Sequence, residues 1–226
     1  MSSTTALVPF KLNSERVPNK NFRLLGGKPL YWWVLESLIN SKCVDRIIIN
    51  TDARTLIERF GLPTGIEIVI KNRKSELCGD LVSMNSIIKD DINEFDANSY
   101  LMTHTTNPFV LSSTFSRAVK QYLNGTVSGE IDSLFSANKL QSRLYSHSLE
   151  PLNHSPYELL RTQDLDPIYE ENSCFYIFSK SSFLSSDARI GTKPAIAIIQ
   201  RLESIDIDTE EDWFHAEVVA AGLSSR

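Results

Sequence analysis

Short apolar runs and amphipathic segments alternate through the first 140 or so residues, and that rhythm leaves few folds open. An apolar run at 6–10 leads into a loop rich in Lys, Asn, Ser and Pro. Pro29 suits the first turn of a helix over 30–40. The isoleucine-rich stretch 46–50 reads as a strand, with Thr51 and Asp52 as the polar turn after it. A helix over 55–60 ends at Gly61, and 66–70 is the next strand. Leu81, Met84, Ile87 and Ile88 give 80–92 a helical period. A strand at 100–102 runs into 103–108, Ser112 caps a helix reaching about 123, and 133–137 is again a strand. Strands that alternate with helices in this way predict an α/β fold, a three-layer, mostly parallel sheet with helices on both faces. Ligands of such sheets bind at the carboxyl ends of the strands, beside a switch in strand order. Chemistry is therefore expected in the loops that follow strands.

Residues 139–167 break the rhythm, being polar, with Pro151, Pro156 and Pro167 and no clean period. Irregular segments this long are uncommon unless functional or ordered by a partner, so the stretch reads as an inserted lid, a dimerisation arm, or both. Strand character resumes at 173–178 and 195–199, and 212–221 is a closing helix. The 226 residues are thus expected to form a single domain carrying one inserted arm. Lys and Arg number 23 against 28 Asp and Glu, a net charge of -5, which offers no general footprint for nucleic acid. No apolar run approaches the roughly 18 residues of a membrane span. The N-terminus lacks the charged-then-apolar pattern of a signal peptide. Cys43, Cys78 and Cys174 are too few and too scattered for a disulfide framework or a zinc site. A cytoplasmic protein of a reducing compartment, bound to neither membrane nor nucleic acid, is expected.

Four stretches carry groups suited to chemistry. After the first strand, the loop 8–21 presents Lys11, Arg16 and Lys20. Ammonium and guanidinium groups can surround a triphosphate, although charge alone does not separate that role from a solvated basic loop. The loop has neither the G-x-x-x-x-G-K-[ST] phosphate pattern nor the glycine pattern of dinucleotide sites. Near the other end, Ile205-Asp206-Ile207-Asp208 alternates, which puts both carboxylates on one face of a strand. Such a pair can seat Mg²⁺, which takes one or two protein carboxylates plus substrate phosphates. The alternative is a polar strand edge where Asp208 or Thr209 caps the next helix. Arg73, after the strand 66–70, is placed to bind phosphate or a base, or to face solvent at a helix approach. His104 opens a polar stretch at 104–108 after another strand, and a lone His is more often structural than catalytic.

Taken in order, these pieces resemble the CMP-sialic acid synthetase family (acylneuraminate cytidylyltransferases, with the Kdo cytidylyltransferases as cousins), over nearly the whole chain. The family loop A-R-x-x-S-K-G-x-x-x-K-N is matched by residues 10–21, ending in Lys20-Asn21. Gly27-Lys28-Pro29-Leu30 is similar to its G-K-P-L, and Asn50-Thr51-Asp52 to its S-T-D. Arg73, Glu76-Leu77 and Asp80 match R-x-x-E-L-x-x-D. His104 to Pro108 falls on Q-P-T-S-P, Asn172-Ser173 and Tyr176 on N-G-x-x-Y, and residues 205–210 on I-D-I-D-T-E. There are departures. Lys11 replaces Arg, Glu15-Arg16 replace Lys-Gly, His104 replaces Gln and Val110 replaces a common Arg. Thr162 stands where sialic acid enzymes tend to have Arg, with Arg161 adjacent. The nucleotide half is the better kept, so the identity of the sugar stays open.

The resemblance implies a sheet of the nucleotide-diphospho-sugar transferase (Rossmann-like) type with a small inserted dimerisation arm at 139–167, working as a homodimer. It implies transfer of CMP from CTP to the anomeric hydroxyl of a 2-keto-3-deoxy sugar acid resembling sialic acid, with release of pyrophosphate. Lys11 and Lys20 then contact the triphosphate. Asn13, Ser14, Arg16 and Asp80 join the nucleotide site, and Asn21 and Arg73 hold its cytidine end. His104, Arg161, Gln163 and Tyr176 line the acceptor pocket, and His104 is also a candidate general base. Asp206 and Asp208 hold Mg²⁺. Lys11, Lys20, His104 and Asp208 form the catalytic set. Two other readings remain. One is a nucleotidyltransferase of the same fold acting on a sugar 1-phosphate or phosphonate. The other is a catalytically silent binding homologue, against which the retained Lys20, Asp206 and Asp208 argue.

Overall fold

The computed structural model describes residues 3–79 and 81–224. In chain order it runs through β1 (Thr4–Leu7), the small ribbon β2 (Leu24–Leu25) and β3 (Lys28–Pro29), α1 (Leu30–Ser41), β4 (Arg46–Thr51), α2 (Arg54–Phe60) and β5 (Glu67–Asn72). Then come α3 (Met84–Glu94), β6 (Ser99–Thr103), α4 (Ser112–Val127), β7 (Ser133–Leu140), β8 (Ile168–Phe178), α5 (Lys180–Ser186), β9 (Pro194–Ile198) and α6 (Glu210–Ser224). Seven strands make one sheet in the order β5-β4-β1-β6-β8-β7-β9. β8 is antiparallel to both β6 and β7, and the other neighbours are parallel. Among the described residues no helix is long and apolar enough to cross a membrane.

Strand periodicity divides the apolar residues between two layers. Ala6, Ile47, Ile49, Leu101, Phe175 and Ile177 face α1 and α4, which supply Tyr31, Leu35, Phe115 and Tyr122. Their sequence neighbours Leu7, Ile48, Tyr100, Met102, Tyr176 and Phe178 face the opposite way, against Ile88 and Ile92 of α3 and Phe183 of α5. Each fully buried side chain of this size contributes about 1.5–3 kcal/mol, which is why central strands read as continuous apolar runs. A third, smaller cluster joins Val17, Leu25, Leu30, Phe109, Ile207 and Trp213. It clamps the loop after β1 to the segment entering α6.

Several local expectations change in three dimensions. α3 starts at Met84, later than residue 80, because Ser83 is the cap and its hydroxyl accepts the Asn85 amide at 3.2 Å. Ser112 is the first helical residue of α4 and makes no capping bond; the N-cap is Leu111, whose amide is taken by the buried Glu203 carboxylate at 3.0 Å. Residues 205–208 are not a strand. They form an extended segment held to the loop after β6, by Ile207 N–H on the Thr106 carbonyl at 2.9 Å and the Asn107 amide on the Ile205 carbonyl at 3.3 Å. β8 begins at Ile168, opposite Leu140, so residues 141–167 are one long excursion between two paired strands.

The chain moves outward from β1 to β4 and β5, then returns to place β6 on the other side of β1. The order reverses there, so the loops leaving β1, β4, β5 and β6 converge at one end of the sheet, where an α/β sheet opens a crevice.

Candidate active site

The loop leaving β1 is tied back to its neighbours. Val8 and Phe10 donate their amides to the carbonyls of Ile48 and Asn50, at 2.9 and 3.2 Å, and Leu12 donates to the Asp52 carboxylate at 2.6 Å. Asn19 then takes a left-handed backbone, φ 54°, and turns the chain into a short helical turn, Lys20–Phe22. Asn tolerates this region better than most residues. The turn drives Lys20 inward until its side chain is 9% exposed. An ammonium in so dry a place requires partners. Its Nζ donates to the Ile207 carbonyl and lies 3.2 Å from Asp208 Oδ1. Arg16 reaches the other oxygen of the same carboxylate at 3.0 Å. The neighbouring Asn21 amide donates to the Lys11 carbonyl at 2.8 Å and accepts the Thr105 hydroxyl at 2.6 Å, so it locks the loop after β1 to the loop after β6.

Arg73 braces the opposite wall. Its guanidinium donates to the Asn50 side chain at 3.0 Å, the Asn50 carbonyl at 2.7 Å and the Phe10 carbonyl at 3.1 Å. Asn50 in turn donates to the fully buried Asp91 at 2.6 Å. Behind it Lys71, 5% exposed, pairs with Asp90 at 2.5 Å, Asp91 at 3.0 Å and Glu94 at 3.0 Å. Burial works against the Lys71 ammonium, but these three carboxylates outweigh it and raise its pKa.

Between the walls lies a cleft of about 390 Å³. Lys11, Ser14, Arg16, Lys20, Asn21, Arg73, His104 and Asp208 line it, with Phe10, Met84 and Ile87 as its apolar surface. His104 is half-buried, and burial, then the charges of Arg189 and Lys20, lower its pKa to about 4. The imidazole is therefore neutral near pH 7, which makes it a hydrogen-bonding group and a weak base.

Asp206 lies on the solvent side of the segment. Protein atoms crowding its carboxyl raise its pKa; the Thr106 hydroxyl opposes this and the Asp208 charge adds to it. Asp206 does not line the cleft, whereas Asp208 does and is paired there with Lys20 and Arg16. As a donor set, two carboxylates separated by one residue on an extended segment suit a divalent cation that takes most of its shell from phosphate and water. Among the described residues no three His, Cys, Asp or Glu side chains gather into a closed metal site. The helix-capping alternative holds for Thr209 alone. Its hydroxyl accepts the Asp212 amide at 3.2 Å while the Asp212 carboxylate accepts the Thr209 amide at 2.8 Å, a reciprocal capping box that leaves the Asp208 side chain for the cleft.

The acceptor half departs most from the sequence reading. Arg161 and Gln163 are exposed on the arm and do not line the cleft; Arg161 is paired with Asp164 at 2.6 Å. Tyr176 is buried beside the cleft, its hydroxyl bonded to Glu171 and, at 3.2 Å, to Ser173. Burial, then the bond to Glu171, pushes that phenol up to about 12. Ser173, at φ 57°, is left-handed where the resembled pattern has glycine, and β8 bulges there against β7. Asn13 is exposed outside the lining, and Asp80 lies outside the described residues. Thr105, Thr106 and Asn50 had no assigned role from sequence, although each sits inside a motif that marked its position. Arg189 and Glu171 carried no sequence signal at all.

Residues 5–219 match the cytidylyltransferase family. The chain is 24% identical to the N-acylneuraminate cytidylyltransferase of Streptococcus agalactiae serotype V, over 92% of its own length and 51% of that protein's. It thus spans about half the length of that relative. It is 27% identical to the CMP-N,N'-diacetyllegionaminic acid synthase of Legionella pneumophila, over 92% of each chain. It is 22% identical to the pseudaminic acid cytidylyltransferase of Campylobacter jejuni, over 94% of each. In fold it is similar to a CMP:2-keto-3-deoxy-manno-octonic acid synthetase complexed with CTP, at a TM-score of 0.67 and 12% identity, covering 98% of this chain and 99% of that one. With its site at the switch in strand order and the match running nearly end to end, the chain belongs to the cytidylyltransferase family.

Proposed function

We propose that the chain transfers CMP from CTP to the anomeric hydroxyl of a 2-keto-3-deoxy sugar acid and releases pyrophosphate. The observation that carries this is the convergence of Lys11, Arg16, Lys20 and Arg73 with Asp208 and a neutral His104 on one cleft. The acceptor oxygen attacks the α-phosphorus, the bond to the β-phosphate oxygen breaks, and the hydroxyl proton leaves to solvent. Such in-line transfer needs positioning and charge neutralisation more than covalent help from the protein. Lys20, held by Ile207 and Asp208, is preorganised for the triphosphate, and Lys11 and Arg16 extend that field along the loop. Arg73, fixed on Asn50 and Phe10, sits at the cytidine end with Asn21. Asp206 and Asp208 are the residues that would hold Mg²⁺, which when bound neutralises phosphate charge and acidifies the attacking hydroxyl. His104 accepts or donates a hydrogen bond at the acceptor.

Within this reading the protein acts as a cytoplasmic homodimer. The exposed Leu149, Leu152, Tyr157 and Leu159 of the arm suit a contact between two copies. The deciding experiment is a CTP-dependent pyrophosphate assay over a panel of sialic, legionaminic, pseudaminic and Kdo-type acids, with sugar 1-phosphates and phosphonates as competing acceptors. Turnover with a sugar acid, lost in Asp208→Ala, supports the proposal. Turnover with a sugar 1-phosphate or phosphonate alone moves the chain to another acceptor class. The absence of Mg²⁺-dependent turnover favours a silent binding protein.

A further inference from the structure

A second hollow of about 370 Å³ opens beside the cleft, and Met84 lines both. Ser83, Asn85, Glu171 and Arg189 give it a polar wall. Arg189 lies on the loop between α5 and β9, which is anchored on both sides of it. Upstream, the Asp187 carbonyl accepts the Asn85 amide at 3.2 Å and the Asp187 carboxylate pairs with Lys89 at 2.9 Å. Downstream, the Gly191 amide bonds the Ser133 hydroxyl at 2.8 Å. The Arg189 guanidinium lies over the Tyr176 ring, 4.0 Å from its centroid. Because Tyr176 is fully buried and its hydroxyl is held by Glu171, that ring is a fixed platform. Stacking orients a guanidinium plane and leaves its in-plane N–H groups for a ligand.

Arg189 is half-buried, yet among the described residues no Asp or Glu lies within ion-pair distance of it. Its charge is nonetheless felt at His104, inside the first cleft. The other cation offered for the acceptor, Arg161, is spent on Asp164 in the exposed arm, and Val110 supplies none. A sugar acid brings one carboxylate, and a planar guanidinium fork is the group that binds it through two parallel hydrogen bonds.

We propose that Arg189 is a specificity-determining residue of the acceptor site, pairing with the carboxylate of the sugar acid while Tyr176 holds its plane. This rests on the reaction proposed above. Glu171 and Asn85, on the same wall, then face the hydroxyl and amide groups of the sugar, and the two hollows form one bipartite site joined at Met84.

The test uses the full chain with CTP and Mg²⁺, N-acetylneuraminate and Kdo as probes, and the carboxamide of each. Charge-assisted bonds of this kind predict that Arg189→Gln raises the KM of the acid roughly 10- to 100-fold. The KM of CTP stays within about twofold, which also reports an intact fold. The carboxamide, which gains little from a cation, changes far less, so the variant loses its preference for acid over amide. Arg189→Lys recovers part of that preference. An unchanged acceptor KM, equal losses for acid and amide, or a raised CTP KM in place of the acceptor KM overturns the assignment while leaving the cytidylyltransferase reaction standing. Where neither probe is turned over, the same comparison is run on whichever legionaminic or pseudaminic acid is; a wild-type protein that turns over none of the four acid classes sinks the proposed reaction itself, and this assignment with it.

Discussion

Replacing Lys20 with methionine separates the structural work of its ammonium from the catalytic work proposed for it. Methionine keeps much of the stem's volume and flexibility and removes the charge. In the free protein the ammonium bonds the Ile207 carbonyl and Asp208 Oδ1. Asp208 is 41% exposed and retains Arg16 at 3.0 Å, so water and Arg16 recover most of its share. The Ile207 carbonyl loses a partner, and an unsatisfied buried acceptor costs about 1–3 kcal/mol. The net expectation is a loss of about 1–2 kcal/mol, or roughly 2–8 °C in Tm for a domain of this size. The catalytic loss is larger. Removing one preorganised donor from developing transition-state charge typically lowers kcat by about 10²–10³. Lys20→Met is therefore expected to lower kcat/KM for CTP at least about 100-fold while melting only a few degrees early. Continuous pyrophosphate release at saturating acceptor, alongside scanning fluorimetry, reads both numbers. A variant within about threefold of wild type refutes the triphosphate role. A collapse in Tm refutes the separation itself, because activity would then be lost with the fold.

Three further outcomes follow from the same contacts. Lys71→Met leaves the buried Asp91 carboxylate with Asn50 as its remaining close partner, and breaking a buried pair costs about 3–5 kcal/mol; urea denaturation measures it, and a loss under about 1 kcal/mol contradicts the brace behind Arg73. Because His104 titrates at about 4 instead of its ordinary 6.5, it stays neutral across the working range. The acceptor kcat/KM should show no acid limb near 6.5 that His104→Gln abolishes, and the appearance of such a limb contradicts the lowered pKa. Burial raises the Asp132 carboxyl, but bonds from Thr192, Lys193 and Ser133 outweigh it and hold the pKa below 3.8. A carboxyl depressed in the folded state contributes stability that is complete above its unfolded pKa and lost as pH falls through the folded value. Asp132→Asn should therefore flatten the acid limb of stability below about pH 4, and an unaltered limb in pH-dependent melts contradicts this.

The alternation of apolar runs and amphipathic segments was legible as an α/β sheet because each central strand is buried on both faces and each helix on one. Burial leaves that local signature in the chain itself. The loop cations, His104 and the acidic pair were legible for a different reason. They belong to short motifs whose order along the chain survives, although Glu15, Arg16 and Lys11 depart from the pattern. Alternation misled at residues 205–208, where Ile207 is buried by a small cluster around Trp213 and its amide bonds a loop, not a neighbouring strand. Periodicity records which side of a residue is dry and says nothing of what keeps it dry.

The surroundings proposed for the acceptor were decided by tertiary structure. Arg161 sits next to the matching position in the chain, yet the arm carries it out to Asp164, while Arg189, in no motif, is folded onto Tyr176. Lys20 shows both contributions at once. Its place beside Asn21 was written in the sequence, but its partners Ile207 and Asp208 lie 187 and 188 residues away. Side chains so far apart along the chain meet only when β1 and β6 are paired and the third cluster closes over them, so their geometry is a property of the packed sheet and of no local segment.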